Sequence, residues 1–116
     1  MSKLIQISRL GSVFNPNEHE YFNYNHAQVP SPILLDDRIR IYFATRTSKN
    51  QNGYYTSYPT YIDVARDNPT EIIYVHNKPL LELGPAGSFS QHGISPSHVM
   101  HTNEQLWMYY GGWSRI

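Results

Sequence analysis

Apolar and polar positions alternate in short runs along this chain, and helical spacing is almost missing. The clearest case is Arg38-Ile-Arg-Ile-Tyr-Phe-Ala-Thr45. There Ile39, Ile41 and Phe43 fall on one face of a strand and Arg38, Arg40 and Tyr42 on the other. Val29-Pro-Ser-Pro-Ile-Leu-Leu35 precedes it, and the acidic pair Asp36-Asp37 between two apolar runs predicts a hairpin turn. A polar loop, Thr47 to Gly53, follows. Thr60-Tyr-Ile-Asp-Val-Ala65 then reads as a third strand and Glu71-Ile-Ile-Tyr-Val75 as a fourth, turned by Asp67-Asn-Pro69. A second hairpin is predicted from Ile94 to Met100 and from Gln105 to Tyr110, with its turn near Thr102-Asn103. Pro and Gly punctuate these runs while Ile, Val and Tyr fill them, the composition of short strands.

The second hairpin echoes the first. Val29-Pro-Ser-Pro-Ile-Leu-Leu with Ile39-Arg-Ile-Tyr-Phe parallels Ile94-Ser-Pro-Ser-His-Val-Met with Leu106-Trp-Met-Tyr-Tyr, about 65 residues later. Each copy has a small-residue opening with Pro, an apolar strand, a polar turn and an aromatic strand. Four strands followed by a restart is the pattern of propeller blades. A β-sandwich or meander whose hairpins match by chance gives the same pattern, so periodicity establishes an all-β class and leaves the architecture open.

Composition narrows the function classes. The 116 residues suffice for one small domain, and nine basic against nine acidic side chains give zero formal charge with no basic stripe. Neither a nucleic acid nor a membrane is expected as a partner, since no run approaches the ~20 apolar residues that cross a bilayer. Ten tyrosines suit half-buried strands, and tyrosine rings also stack on sugar faces. Cysteine is absent, which rules out a disulfide framework and fits a reducing compartment. The first residues lack a secretory apolar core, so the expected location is cytoplasmic. Asn68-Pro69-Thr70 is no glycosylation acceptor because Pro holds the middle position.

Several segments resemble the glycoside-hydrolase-like five-bladed β-propellers of families 43, 32 and 130. His26-Ala-Gln-Val-Pro-Ser-Pro32 with Asp37 to Arg46 resembles their first blade, and Tyr61-Ile-Asp-Val-Ala65 with Asn68-Pro69 its outer strands. Gly87-Ser-Phe-Ser-Gln-His-Gly-Ile-Ser-Pro-Ser97 and Tyr109-Tyr-Gly-Gly-Trp-Ser-Arg115 resemble the opening and exit of the second blade. The resemblance runs from about Gly11 to Arg115. It implies a partial five-bladed β-propeller, about two blades of four-stranded antiparallel sheet. On that reading residues 1–25 are an N-terminal strand and loop, 26–78 blade one and 79–116 the start of blade two. Closed relatives need roughly three hundred residues at about fifty or more per blade. The chain is therefore expected to be a truncated or excised piece, with open blade edges through which it could self-associate. Leu4-Ile-Gln-Ile-Ser8 is the candidate strand for completing a last blade in a full-length relative.

The resemblance also orders the candidate chemistry. In a propeller the inner strand starts at the funnel mouth and the second strand returns to it. Asn25, His26, Gln28 and Arg46 from blade one, and Gln91, His92, Ser95, Trp113, Ser114 and Arg115 from blade two, are then expected at the mouth. Asp36 and Asp37 fall on the opposite face, where turn chemistry explains them. Glycoside hydrolysis needs two carboxyl groups flanking the bond, and neither blade opening carries one. The family commonly has Phe-Asp-Asp or Phe-Asp-Glu before the second inner strand, whereas this chain has Phe89-Ser90-Gln91-His92-Gly93. Gln91 is isosteric with Glu but transfers no proton. His92 is the candidate acid or base, its ordinary pKa lying near neutrality, or else a hydrogen-bonding group that orients a sugar. Arg46 suits a hydroxyl, carboxylate or phosphate, or an ion pair between blades. Trp113, after two glycines, suits sugar stacking or blade packing. Glu18, His19 and Glu20 read as a solvated loop. No metal or other cofactor is expected, two histidines being too few ligands. The implied function is action on, or binding of, an oligosaccharide or polysaccharide, catalytically incomplete in this chain. The alternatives are a non-catalytic carbohydrate-binding propeller and an inactive truncated product.

Overall fold

The computed structural model of the chain describes residues 4–18 and 25–115. Six strands follow one 3-10 turn at Pro16–Glu18: β1 (Asn25–Leu34), β2 (Arg38–Arg46), β3 (Ser57–Ala65), β4 (Ile72–Val75), β5 (Gly93–Thr102) and β6 (Gln105–Trp113). The protein is all-β, and its strands form a single open mixed sheet in the order β1-β2-β3-β5-β6, with β4 beside β3. Strands β1 to β4 are an antiparallel meander. The β5–β6 hairpin joins it through one parallel bridge, Ser57 to Gly93. The free edge of β3 is thus shared, β5 taking its first residue and β4 taking Ile62 to Val64. About two blades of four-stranded antiparallel sheet were expected, with residues 79–116 only starting the second. The described strands instead make one continuous sheet, with two strands in its second unit.

Strand β1 lies at an edge and carries Pro30 and Pro32, which supply no ladder donor and belong at edges or bulges. It is bulged twice. Two residues oppose one between Asn25 and Gln28 and again between Gln28 and Ser31, and the positive φ values of His26 (67°) and Val29 (51°) fall inside the two bulges. Strand β5 has its own bulge between Pro96 and His98. Each extra residue turns the following side chains to the other face.

One face of the meander holds the core. Phe43, Ile62 and Val64 are buried there, flanked by Val13, Phe14, Ile39, Ile41, Ile72 and Val75. Phe14 packs its ring 5.5 Å from that of Phe43, so residues ahead of β1 cover this face. On the other face Arg40 lies over Tyr61, whose ring packs beside Tyr42, and Asp63 is wholly buried beneath both Arg38 and Arg40. Hairpin β5–β6 crosses this side of β1, and Val99 N–H donates to Ser31 Oγ at 3.1 Å. Leu4, Ile5 and Ile7 pair with nothing in the sheet and stand about nine-tenths exposed.

Two local features make predictions. The β5–β6 turn places both Asn103 (φ 47°) and Glu104 (φ 66°) in the left-handed region, as a two-residue primed hairpin turn requires. Asn tolerates that region and Glu does not, so Glu104→Gly is expected to stabilise the protein by about 0.5–1 kcal/mol in urea denaturation. His76 stacks on Tyr61 at 4.5 Å, with Nδ1 3.1 Å from Tyr74 Oη. Burial, then Lys78 and Arg40, lower its pKa, with Asp63 opposing weakly. A histidine depressed in the folded state binds fewer protons than in the unfolded chain, so its contribution favours folding above about pH 6.5 and is lost as the pH falls below that value. His76→Phe keeps the stacking and should flatten the acid side of the stability profile between about pH 7 and 5.

Candidate functional site

The pairing register brings strand ends from both units into one row. Asn25 opposes Arg46, Arg46 opposes Ser57, Ser57 opposes Gly93, and Gly93 opposes Trp113. The row forms because β2 runs out at Arg46 as β1 begins at Asn25, and β6 runs out at Trp113 as β5 begins at Gly93. The hairpin turns lie at the opposite end. There Leu35 N–H donates to Arg38 O, Arg66 Nη1 donates to the Leu35 and Asp36 carbonyls, and Asp37 is paired with Arg38 at 3.0 Å. The Arg38 guanidinium holds the Asp37 carboxyl below its usual range. Asp36 and Asp37 are turn residues, as the sequence indicated.

Tyr55, in the loop before β3, is the hub of the row. The His26 ring meets it edge-on at 5.1 Å, the Arg46 guanidinium lies 5.5 Å from its centroid, and Lys49 Nζ lies 5.4 Å away. Arg115 Nη2 donates to the Tyr55 carbonyl at 2.8 Å while its guanidinium sits 4.1 Å from the Tyr54 ring and 4.7 Å from that of Trp113. Arg115 N–H in turn donates to His92 Nδ1 at 2.8 Å, and His92 N–H donates to the Trp113 carbonyl. His26 and His92 are therefore linked through Tyr55 and Arg115 at one end of the molecule. Because Nδ1 of His92 accepts from a backbone N–H, the proton of the neutral ring sits on Nε2.

Each expected residue has a definite place. Asn25 receives the Thr45 hydroxyl on its carbonyl and meets His26 Nδ1 with its side-chain oxygen. Gln28 is exposed opposite Ala44, beyond the first bulge, and Ser95 lies opposite Gly111, two residues in from the row. Gln91 Oε1 accepts from Gly87 N–H at 2.9 Å and closes the loop ahead of β5. Trp113 covers Gly93 so closely that a Cβ there would lie 2.0 Å from the indole nitrogen. Ser114 is exposed at the exit from β6. Arg46 is half-buried, and its Nε, fully shielded from solvent, has no hydrogen-bond partner. Glu18 accepts from Asn15 beside this end, while His19 and Glu20 lie outside the described residues.

Beside the row is an open hollow of about 470 Å³ whose walls include Ser12, Asn15, Asn17, Asn25 and His26. Short amide and hydroxyl side chains of this kind both donate and accept, as sugar hydroxyls require. Among the described residues no cluster of three His, Cys, Asp or Glu is able to hold a metal ion. The carboxylates held in described ion pairs, Asp37 and Asp63, engage Arg38 and Arg40 away from the row. Sequence reasoning missed Tyr54, Tyr55 and Lys49. The signal was an adjacent tyrosine pair closing a polar loop just ahead of a strand.

No protein-family model matches the chain, and no solved structure matches it. It is similar to two uncharacterized proteins of Mycobacterium tuberculosis, MT1551 from strain CDC 1551 / Oshkosh and Rv1502 from strain ATCC 25618 / H37Rv. Each is 27% identical over 107 residues, which cover 91% of this chain and 34% of the relative. The chain thus spans about a third of the length of these curated relatives. No helix among the described residues is long and apolar enough to cross a membrane.

Proposed function

We propose that this chain is part of a glycoside-hydrolase-like five-bladed β-propeller and that its row of strand ends binds an oligosaccharide. The observation that carries the reading is the alignment of Asn25, Arg46, Ser57, Gly93 and Trp113 at one end of the sheet, with His26 and His92 tied together behind them. A meander followed by a hairpin that restarts beside it is how one blade succeeds another. The length of the relatives agrees, since 107 residues are 34% of each, which puts them near the size five blades need. Aromatic rings, an arginine and a hollow lined with amides form a surface suited to sugars.

Binding, rather than hydrolysis, is the activity proposed for these residues. The one side chain isosteric with a catalytic carboxyl, Gln91, is committed to the Gly87 amide. Any acid and base would come from blades beyond this chain, in a protein we place in the cytoplasm.

Arg46→Ala and His92→Ala are each expected to weaken oligosaccharide binding more than tenfold, about 1.4 kcal/mol, the scale of one charge-assisted contact. Trp107 is half exposed on β6, so Trp107→Phe leaves Trp113 as the lone fluorescent reporter for glycan titrations. Unchanged affinity in both variants, or no binding across a broad glycan panel by this chain and by a propeller-length relative, removes the reading.

A further inference from the structure

The cations at this end outnumber what the described residues neutralise. Arg46 and Lys49 both approach the Tyr55 ring, at 5.5 and 5.4 Å, and Arg115 is bound to the Tyr55 carbonyl. Arg115 is fully employed, sandwiched between Tyr54 and Trp113. Arg46 is not. No described residue accepts a hydrogen bond from its guanidinium, and its Nε is buried without a partner. Leaving a buried donor of a charged group unmade is costly, about 1–3 kcal/mol or more, and native structures rarely tolerate it without a reason. The π-face of Tyr55 offsets part of that cost through cation–π attraction but accepts no ladder of N–H bonds.

We propose that Arg46, Lys49 and Tyr55 form a subsite for the anionic group of an acidic saccharide, a carboxylate or a phosphate ester. This rests on the oligosaccharide reading above and names its substrate class. The planar guanidinium presents paired N–H groups that match two oxygens of either anion, and the exposed Lys49 ammonium adds a mobile point charge. A neutral sugar would satisfy the Nε but would leave both charges without a counter-ion in the partly desolvated row. Asn25 and His26 belong both to the Tyr55 cluster and to the amide-lined hollow, so the hydroxyls of the same sugar fall beside it. Glu18, the acidic residue on the neighbouring 3-10 turn, is exposed and held by Asn15 rather than by either cation. A polynucleotide is the poorer occupant, because the cluster is one arginine–lysine pair and the chain carries no basic stripe.

The test uses the full chain with Trp107→Phe and titrates five probes: oligogalacturonate, the same oligomer fully methyl-esterified, galactose 6-phosphate, galactose and inorganic phosphate. One of the two acidic sugars should bind at least about tenfold more tightly than its neutral counterpart, methyl ester or galactose. That advantage should shrink as salt rises from about 0.05 to 0.5 M. Preference for oligogalacturonate assigns the carboxylate, and preference for galactose 6-phosphate the phosphate. Arg46→Gln should erase the discrimination while the neutral sugar still binds. Lys49→Gln, an exposed change that leaves the fold intact, should reduce it severalfold. Equal binding of acid and neutral forms, or discrimination that survives both substitutions, overturns the subsite while leaving the saccharide reading standing. Inorganic phosphate binding as tightly as the phosphate ester also overturns it, and no binding of any sugar removes both readings.

Discussion

Asp63→Ala is expected to cost about 3–5 kcal/mol of folding stability, the loss typical of breaking a buried ion pair from one side. The Asp63 side chain has no solvent exposure. Arg40 grips it with Nε on Oδ1 at 2.8 Å and Nη2 on Oδ2 at 3.1 Å, and Arg38 adds Nη1 on Oδ2 at 3.1 Å. Both arginines stand on the same face of β2, two residues apart, so removing the carboxylate leaves two cations facing each other over a cavity. Arg40 is also fixed over Tyr61 at 4.1 Å and cannot swing freely to water. A domain of this kind holds only about 5–15 kcal/mol in total, so the variant should be unfolded or nearly so at low urea concentration. Asp63→Asn keeps the shape and some of the hydrogen bonds and should fall between the two. Urea denaturation monitored by far-UV circular dichroism reads the effect. A loss under about 1 kcal/mol for the alanine variant would mean that the cluster only balances its own desolvation.

The same residue shows where sequence reading stops. Period-two alternation placed Asp63 on a strand and separated Ile39, Ile41 and Phe43 from Arg38, Arg40 and Tyr42, and that partition is the one the sheet adopts. The meaning of Asp63 depended on the register between β2 and β3, a non-local quantity that alternation within one strand does not carry. Strand positions were legible because Gly, Pro and Asn mark turns by their backbone preferences alone. The bulges in β1 were half legible. Pro30 and Pro32 announce an edge strand, but the extra residues at His26 and Val29 appear only once β2 is laid alongside, and they separate Gln28 from the row it was expected to join. The site followed the same rule. His26, Arg46, His92 and Arg115 were placed at one end by resemblance to a fold, whereas Tyr55, which links them, sat in a polar loop without periodicity.

Gly93→Ala is expected to cost about 1–3 kcal/mol and to weaken sugar binding by the row more than tenfold, although glycine offers no side chain to a ligand. Trp113 follows two glycines, but the room for its ring lies elsewhere. Gly111 has open space beside it, and Gly112 makes way for Phe89, where a Cβ would come within 2.6 Å. Gly93, across the ladder, receives the indole of Trp113, with its nearest atoms 2.0 and 2.3 Å from where a Cβ would stand. Such an overlap forces the ring to move. The ring is also in contact with Arg115, which is bound to Tyr55 O and stacked on Tyr54, so its displacement is expected to reach the loop that carries Tyr55. His92 is caught as well, because it accepts from Arg115 N–H and donates to Trp113 O. In the Trp107→Phe background the Trp113 emission should shift on Gly93→Ala, and glycan affinity should fall by more than tenfold. Gly111→Ala is the matched control, a change in the same strand with nothing to meet, and it should leave both readings within error. Wild-type emission and affinity in the Gly93 variant would show that the indole has another resting place, and that the row does not depend on this contact.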